Sequence, residues 1–443
     1  MRVALFVHCF FPDHFYGTET YTLELAKHYR AMGADARVVS AIFPGEPAAP
    51  DLITRYDFQG IPVICIDKNR LPHTRVKDTY YQPDMRPVLM QVLRELRADV
   101  VHVTHLINHT GALLETTREL DIPTYATFTD FFGFCYNNKL EAADGSLCGG
   151  PSASRSNCMA CYIKDAGQHP GVDRLTRWAS RPARATWVAG AVNLLRKLPP
   201  LRGGPVDGLL EDLARRPETL RWLYSVYRGA VTPTRFLRGA YERIGFSMPM
   251  RNIAFGVDIE RDPKPWRPAG HRPVIGFVGQ IARHKGPDIL IEAFKRLPRG
   301  AAELHIYGPP DQDLEYVGRL KVLSEGAAVQ FRGTFQKERM GEVMASLDLL
   351  VIPSRWYENS PLVLLNALAT HTPVAVSDVA GMTEFLDPGR NGYSFQRGSV
   401  DDLESVLREL LVDRDRLYSL PLTTEYGRTN RTMAEETLAM YGG

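Results

Sequence analysis

The stretch from Leu347 to Ala369, Leu-Asp-Leu-Leu-Val-Ile-Pro-Ser-Arg-Trp-Tyr-Glu-Asn-Ser-Pro-Leu-Val-Leu-Leu-Asn-Ala-Leu-Ala, places Glu358 in a polar loop between two apolar runs. The first run reads as a buried strand and the second as a helix. Ser360 is a suitable N-cap and Pro361 fits the first helical position, so the helix is expected to begin there. The backbone N–H groups of Leu362 and Val363 then face whatever sits above the sheet, which is an anion site. With Glu358 before those donors and Asn366 about a turn and a half into the helix, a phosphorylated polyol could be held at both ends. An ordinary strand, loop and helix without a ligand accounts for the segment equally well.

Three other clusters could do chemistry. The loop Gly-Gln-Ile-Ala-Arg-His-Lys-Gly that opens at Gly279 puts two cations, Arg283 and Lys285, after a strand end. A solvated loop would carry such charges too. Near the start, Phe-Tyr-Gly-Thr-Glu-Thr at 15 to 20 precedes a helix, where Gly17 either forms a turn or lets the backbone approach a diphosphate. The G-x-G-x-x-G fingerprint of dinucleotide binding is absent there. Finally, four of the six cysteines fall in one Gly/Ser/Asn-rich loop, Cys135, Cys148, Cys158 and Cys161, the last two as Cys-x-x-Cys. In a reducing compartment this points to metal before disulfides, with structural zinc as the leading choice and free thiols, a disulfide or an iron–sulfur cluster as the others. Cys9 and Cys65 read as core residues of apolar strands.

These groups need a scaffold, and 443 residues suffice for two or three domains with proper cores. A net charge of +2 gives no reason to expect nucleic acid as a partner. The opening Met-Arg-Val-Ala-Leu-Phe-Val-His leads into Phe-Phe-Pro-Asp and reads as a first strand, not a signal peptide. No apolar run approaches the roughly 18 residues of a membrane span, so a cytoplasmic or peripheral location on the inner membrane face is expected. Strands at Val3 to Val7, Ala36 to Ser40, Val100 to Val103 and Pro123 to Phe128 alternate with helices, the first near Glu19 to Met32. That pattern argues for a parallel sheet covered on both faces. A second alternation begins at Val274, with a helix over Pro287 to Leu297 and strands at Glu303 to Tyr307 and Pro373 to Ser377. Every charged side chain from Arg174 to Arg202 is basic: Arg174, Arg177, Arg181, Arg184, Arg196, Lys197 and Arg202. With Trp178, Trp187 and the run at 192 to 195, this reads as an interfacial helix facing anionic lipid, or as a solvated helical insertion packing its tryptophans on the domain.

The pattern Pro-Ser-x3-Glu-x7-Asn-Ala-x-Ala resembles the Glu-x7-Glu signature of the retaining glycosyltransferases of family 4, with Asn366 at the second Glu position. The resemblance also covers Gly-x3-Arg-x-Lys-Gly at 279 to 286, Gly-Val-Asp at 256 to 258 and Gly-Met-x-Glu ending at Glu384. It implies an α/β GT-B fold of two Rossmann-like domains facing each other across a cleft: 1–262 on the acceptor side with an insertion at about 135–222, 263–420 for the nucleotide-sugar, and a C-terminal helix in 421–443 crossing back. It implies transfer of a hexose-type sugar from a UDP- or GDP-sugar to a glycan or lipid-linked acceptor hydroxyl, with no catalytic metal. By the same resemblance Arg283 and Lys285 bind the diphosphate, assisted by the amides at Gly17 and Leu362. Glu358 orients the sugar, Asn366 holds the ribose, and Gly308 with the strand before it frames the base. At Thr127 to Phe132 the family commonly has His-Asp. Here Thr129 takes the His position and Asp130 is kept, while His371 stands where Gly is usual. Those changed positions also admit a non-catalytic nucleotide- or glycan-binding scaffold, and the fold admits a sugar-phosphate phosphorylase or synthase.

Overall fold

Fourteen short segments rich in β-branched and apolar residues pair into two separate sheets among the described residues. The computed structural model describes residues 1–167, 174–195, 205–259, 264, 267–268 and 270–442. The chain divides into two compact units, Met1–Ala254 with Met433–Gly443, and Phe255–Thr432.

In the first unit the strands are β1 (Arg2–Phe6), β2 (Asp35–Ile42), β3 (Ile53–Phe58), β4 (Ile61–Asp67), β5 (Val100–Val103), β6 (Thr124–Thr127), β7 (Tyr227–Thr232) and β8 (Met250–Asn252). Their order is β3-β4-β2-β1-β5-β6-β7-β8, parallel throughout except for the edge strand β3. The alternation expected for this half is present. The hairpin β3–β4 was not anticipated, because its turn, Gln59-Gly60, is not one of the common hairpin dipeptides. Both turn residues have positive φ, 52° and 79°, as a two-residue connection between twisted strands requires. The first helix, Gly17–Ala31, starts two residues earlier than expected, so Gly17 is its first residue.

The second unit carries β9 (Val274–Val278), β10 (Glu303–Tyr307), β11 (Val329–Gly333), β12 (Leu349–Ile352), β13 (Val374–Ser377) and β14 (Gly392–Phe395), ordered β11-β10-β9-β12-β13-β14 and all parallel. This is the doubly wound order, and the side on which successive strands are added to the sheet switches between β9 and β12. β12 and β13 are buried on both faces, which explains their unbroken apolar sequence.

Three local expectations are corrected. The helix after β12 runs Leu362–Ala369 with Pro361 at the N-cap position and no side-chain cap. Ser360 instead adopts a left-handed backbone, φ 62°, and its buried hydroxyl has no hydrogen-bond partner among the described residues. With Pro361 in the N-cap place, Ser360 stands one residue too early to cap the helix. The tail expected as one helix over Leu422 to Tyr441 is helical only over Asn430–Leu438, followed by a 3-10 turn at Ala439–Gly442. Cys158 and Cys161 lie on a helix, Ser156–Ala166, and not in a loop.

His371 explains itself. It ends the Leu362–Ala369 helix in the left-handed conformation, φ 56°, where a glycine would be unstrained. Its Nδ1 lies 2.7 Å from the Thr424 carbonyl, an anchor that offsets the strain.

Candidate active site

In the second unit the loops after β9 and β12 are tied together. The Arg355 N–H donates to the His284 carbonyl at 2.8 Å, and the Arg355 guanidinium grips both carboxylate oxygens of Asp288 at 2.7 and 2.8 Å. Tyr316 adds a third hydrogen bond to Asp288 at 2.7 Å. Burial alone would raise the Asp288 carboxyl; the bonds from Arg355 and Tyr316 outweigh it and hold its pKa below the ordinary value.

On that frame sits Glu358, 7% exposed. Three donors converge on its Oε1: Lys285 Nζ at 2.6 Å, Ser354 Oγ at 2.6 Å and Trp356 Nε1 at 3.0 Å. No described residue donates to Oε2, which is therefore the oxygen left for a ligand. Burial opposes the charged form, but the Lys285 ammonium and the three hydrogen bonds prevail, so Glu358 titrates below the usual carboxylate range. Arg283, exposed and one turn earlier, has no carboxylate partner among the described residues, with its guanidinium 5.7 Å from the Tyr316 ring centre.

Glycines bring these segments into contact. A Cβ on Gly381, φ 90°, would lie 1.5 Å from the Glu358 carbonyl oxygen, so only glycine lets the turn carrying Glu384 pack against the Glu358 loop. A Cβ on Gly308 would lie 2.0 Å from the Gly279 carbonyl, which fixes the loops after β9 and β10 side by side. Leu362 and Val363 start the helix with N–H groups that no described residue accepts, and the half-buried Asn366 side chain likewise makes no hydrogen bond among the described residues. The structure thus gathers Glu358, Lys285, Arg283, Leu362, Val363 and Asn366 at the carboxyl ends of β9 and β12, the topological switch point where open α/β sheets bind ligands.

In the first unit Asp130 follows β6 and lines a small open recess with Thr104, His105, Thr129, Tyr224 and Tyr241. Asp130 Oδ1 accepts the Phe132 N–H at 2.8 Å and its Oδ2 lies 2.9 Å from His105 Nε2. His105 Nδ1 accepts the Ile107 N–H at 3.2 Å, which puts the ring hydrogen on Nε2, aimed at Asp130. Gly17 has an ordinary helical start, and a Cβ there would meet nothing within 4 Å. The fold therefore does not require a glycine at 17, unlike Gly381.

Sequence reasoning missed Ser354, Trp356, Asp288 and His105. Ser354 was legible in principle, since it lies four residues before Glu358 in the quoted pattern. His105 was not, because its partner Asp130 comes from another strand.

Comparison with known proteins bears on both units. Residues 258–427 match the family model described as glycosyl transferases group 1, and residues 15–142 match that described as glycosyltransferase family 4. The fold is GT-B. A D-inositol 3-phosphate glycosyltransferase from Nocardia farcinica is 33% identical over 159 residues, 34% of this chain and 35% of that protein. The chain thus spans about a third of the length of this relative. A GDP-mannose-dependent alpha-mannosyltransferase from Mycobacterium tuberculosis is 23% identical over 100% of this chain and 96% of its own length. Among solved structures, Anabaena HepE in complex with UDP and glucose has a TM-score of 0.61 at 14% identity, covering 100% of this chain and 99% of that one. The segment from 143 to 257, which holds three of the clustered cysteines and the basic helices, lies outside both family matches.

Proposed function

We propose that the chain is a retaining glycosyltransferase that moves a hexose-type sugar from a UDP- or GDP-sugar to a hydroxyl of a glycan or lipid-linked acceptor, in assembly of a bacterial surface glycan. The observation that carries this is Glu358, ionised and fixed through Oε1 with Oε2 left to accept a sugar hydroxyl. Arg283 and Lys285 stabilise the diphosphate as charge builds on the departing nucleotide, and the free amides of Leu362 and Val363 add two donors. The phosphate takes the acceptor's proton, so the chemical step needs no titratable side chain at Thr129. Asp130, pinned by His105 and the Phe132 N–H, accepts a hydrogen bond from a substrate hydroxyl. Gly17 leaves room for a phosphate oxygen beside the first helix. Asn366 takes the ribose. The reading gives zinc a structural place among the cysteines and no place in sugar transfer.

The complexed UDP of HepE and the GDP-mannose of the mycobacterial relative support a nucleoside-diphosphate donor. His371 being accommodated by its Thr424 bond removes one of the three changed positions that favoured a non-catalytic scaffold. A panel of UDP- and GDP-sugars screened for protection against thermal unfolding tests the reading, since a ligand that binds only the native state raises its melting temperature. One nucleotide class is expected to protect; protection by none of them removes the donor assignment.

The membrane part of the reading rests on the helices Arg174–Ala179 and Pro182–Leu195, which expose Leu175, Trp178, Trp187 and Leu194 beside Arg174, Arg177 and Arg181. Trp187 is 72% and Trp178 45% exposed, which supports an interfacial role for the first ring more than for the second. Arg196, Lys197 and Arg202 lie outside the described residues, and among the described residues no helix is long and apolar enough to cross a membrane. Salt-sensitive flotation with anionic vesicles is expected; equal binding to neutral vesicles, or none, would make the segment a packing element.

A further inference from the structure

Three side chains that the sugar-transfer reading leaves unused meet in the first unit. His8 and Cys9 follow β1, and Glu19 stands in the first turn of the helix Gly17–Ala31. His8 Nε2 lies 3.1 Å from Glu19 Oε1, and the unbridged Cys9 Sγ lies 3.1 Å from the same oxygen. One ligand atom from each of the three falls within 4.8 Å of the other two. Metal–ligand distances of about 2.0 to 2.3 Å put the corners of a tetrahedral Zn²⁺ site about 3.3 to 3.6 Å apart, so shifts of a few tenths of an ångström bring both short contacts to that spacing. The thiols at 135, 148, 158 and 161 make no such group, since no three of those sulfurs lie within 4.8 Å of one another.

A second observation is independent of that spacing. Glu19 is 2% exposed, yet no Lys or Arg among the described residues pairs with it. Its other oxygen, Oε2, is buried and has no hydrogen-bond partner among the described residues, and the same holds for His8 Nδ1. A buried carboxylate without a cation is costly, and buried charges are ordinarily paired or bound to metal. The histidines around the trio are committed elsewhere. His105 is held between the Ile107 N–H and Asp130, His109 Nε2 lies 2.8 Å from the Val7 carbonyl, and His14 Nε2 lies 3.1 Å from Glu46 Oε1.

We propose that His8, Cys9 and Glu19 bind one divalent transition-metal ion of the zinc class, with a fourth position left to water. Sulfur and imidazole beside a single carboxylate suit zinc and its neighbours in the first transition row; magnesium and calcium favour oxygen. Cys9 releases its proton to solvent and gives a sulfur lone pair to the metal, and Glu19 gives a carboxylate oxygen. The His8 hydrogen moves to Nδ1, which frees the Nε2 lone pair. One thiolate and one carboxylate then balance the dication, so the buried site carries no net charge. The ion fastens the chain after β1 to the start of the first helix and closes the loop between them, which exposes Phe15 and Tyr16 as a stacked pair. His8, the partly exposed member, is the side from which an ion enters. Its ring centre lies 4.3 Å from that of His105, so the site adjoins the Asp130 recess without taking either residue as a ligand. The proposal does not rest on the donor assignment.

Full-length protein stripped by chelation is to be titrated with Co²⁺ alone, followed by absorption and calorimetry, beside Cys9→Ser, His8→Gln and Glu19→Gln. Whatever the clustered cysteines bind is common to these proteins and cancels in the difference between them. The unmodified protein minus Cys9→Ser should show a charge-transfer band of one thiolate per chain, displaced by Zn²⁺ and kept in Cys158→Ser. His8→Gln and Glu19→Gln should weaken Co²⁺ binding by more than the roughly 10- to 100-fold that follows loss of an outer-shell partner. The same spectrum and affinity in Cys9→Ser as in the unmodified protein, or no stoichiometric Co²⁺ or Zn²⁺ in the latter, would overturn the site and leave a hydrogen-bonded trio. If Cys9→Ser does not fold, His8→Gln decides: Zn²⁺ should raise the melting temperature of the unmodified protein and not of this variant, and an equal rise in both would overturn the proposal. Thermal protection by nucleotide-sugars, measured alongside, is expected to be the same with and without the metal, so failure here does not touch the donor assignment.

Discussion

Lys285 and Arg216 are both cations withdrawn from water, and the chain completes their surroundings differently. Lys285 meets Glu358 at 2.6 Å, and Ser354 and Trp356 share the same carboxylate oxygen, so charge and hydrogen bonds are satisfied by the protein itself. Arg216 is more deeply buried and meets only a carbonyl and two ring faces. The difference separates a charge the protein answers with a charge from one it answers with dipoles. On the proposed reading the pocket around Glu358 takes a neutral group, a sugar hydroxyl, and Arg283 takes phosphate. Around Arg216 the positive charge meets, among the described residues, one carbonyl and two aromatic faces.

Removing Arg283 should have the largest effect on the first region. Arg283→Ala is expected to cost about 2 to 4 kcal/mol of transition-state stabilisation, a fall of roughly 30- to 1,000-fold in kcat/KM. A loss of less than a few-fold in steady-state kinetics would mean that Lys285 alone neutralises the diphosphate and that the comparison assigns the cations wrongly.

The pairing itself is read by acid. Because Glu358 has a depressed pKa in the fold, its contribution to stability is present above the ordinary carboxylate range and is lost as the pH falls through that depressed value. In Lys285→Met the cation is gone and burial dominates, so the carboxyl pKa rises and its protonation in acid then relieves the fold instead of weakening it. Breaking such a pair costs about 3 kcal/mol or more at neutral pH, and this deficit should shrink as the pH falls through the carboxylate range. Arg216→Met has no carboxylate partner to release, so its deficit should stay the same across that range. The same pH dependence in the two variants, followed by circular dichroism in denaturant at neutral and acid pH, would erase the distinction drawn between them.

A smaller effect is expected at Asn366, which is half-buried and whose side chain makes no hydrogen bond among the described residues. A glutamate there could accept from both ribose hydroxyls as an anion, whereas asparagine is a methylene shorter and offers one acceptor oxygen. The ribose is far from the bond that breaks, so its contacts are uniform between ground and transition states. Asn366→Glu should therefore lower the donor KM several-fold, about 1 kcal/mol, with kcat little changed. Loss of turnover in that variant would show a pocket built around asparagine.

Much of this was legible in the sequence, for physical reasons. Parallel strands buried on both faces write themselves as unbroken apolar runs, so β9, β12 and β13 and the loops after them could be placed from residue type alone. The position of Glu358 followed, and its Ser354 partner lies within the same short pattern. What could not be read was pairing across distance: Asp130 with His105, Asp288 with Arg355, Arg216 with the Phe132 carbonyl. Each joins residues from different elements, and no local period marks such a contact. The start of the Leu362–Ala369 helix failed differently. Ser360 has the right side chain for an N-cap, but the helix begins one residue later, with Pro361 at the N-cap and Ser360 in a left-handed conformation that its residue type does not announce.

The account stands on Glu358 meeting the reacting sugar through Oε2. The most direct test is hydrolysis of the best-protecting nucleotide-sugar without acceptor, followed in single turnover by the wild type and by Glu358→Ala and Glu358→Gln. The wild type should release nucleoside diphosphate slowly. Both variants should keep most of the thermal protection by nucleotide and lose hydrolysis by on the order of a hundred-fold or more, as when a preorganised group at the reacting centre is removed. Hydrolysis at the wild-type rate in the variants, or nucleotide protection without any turnover in the wild type, would contradict the account.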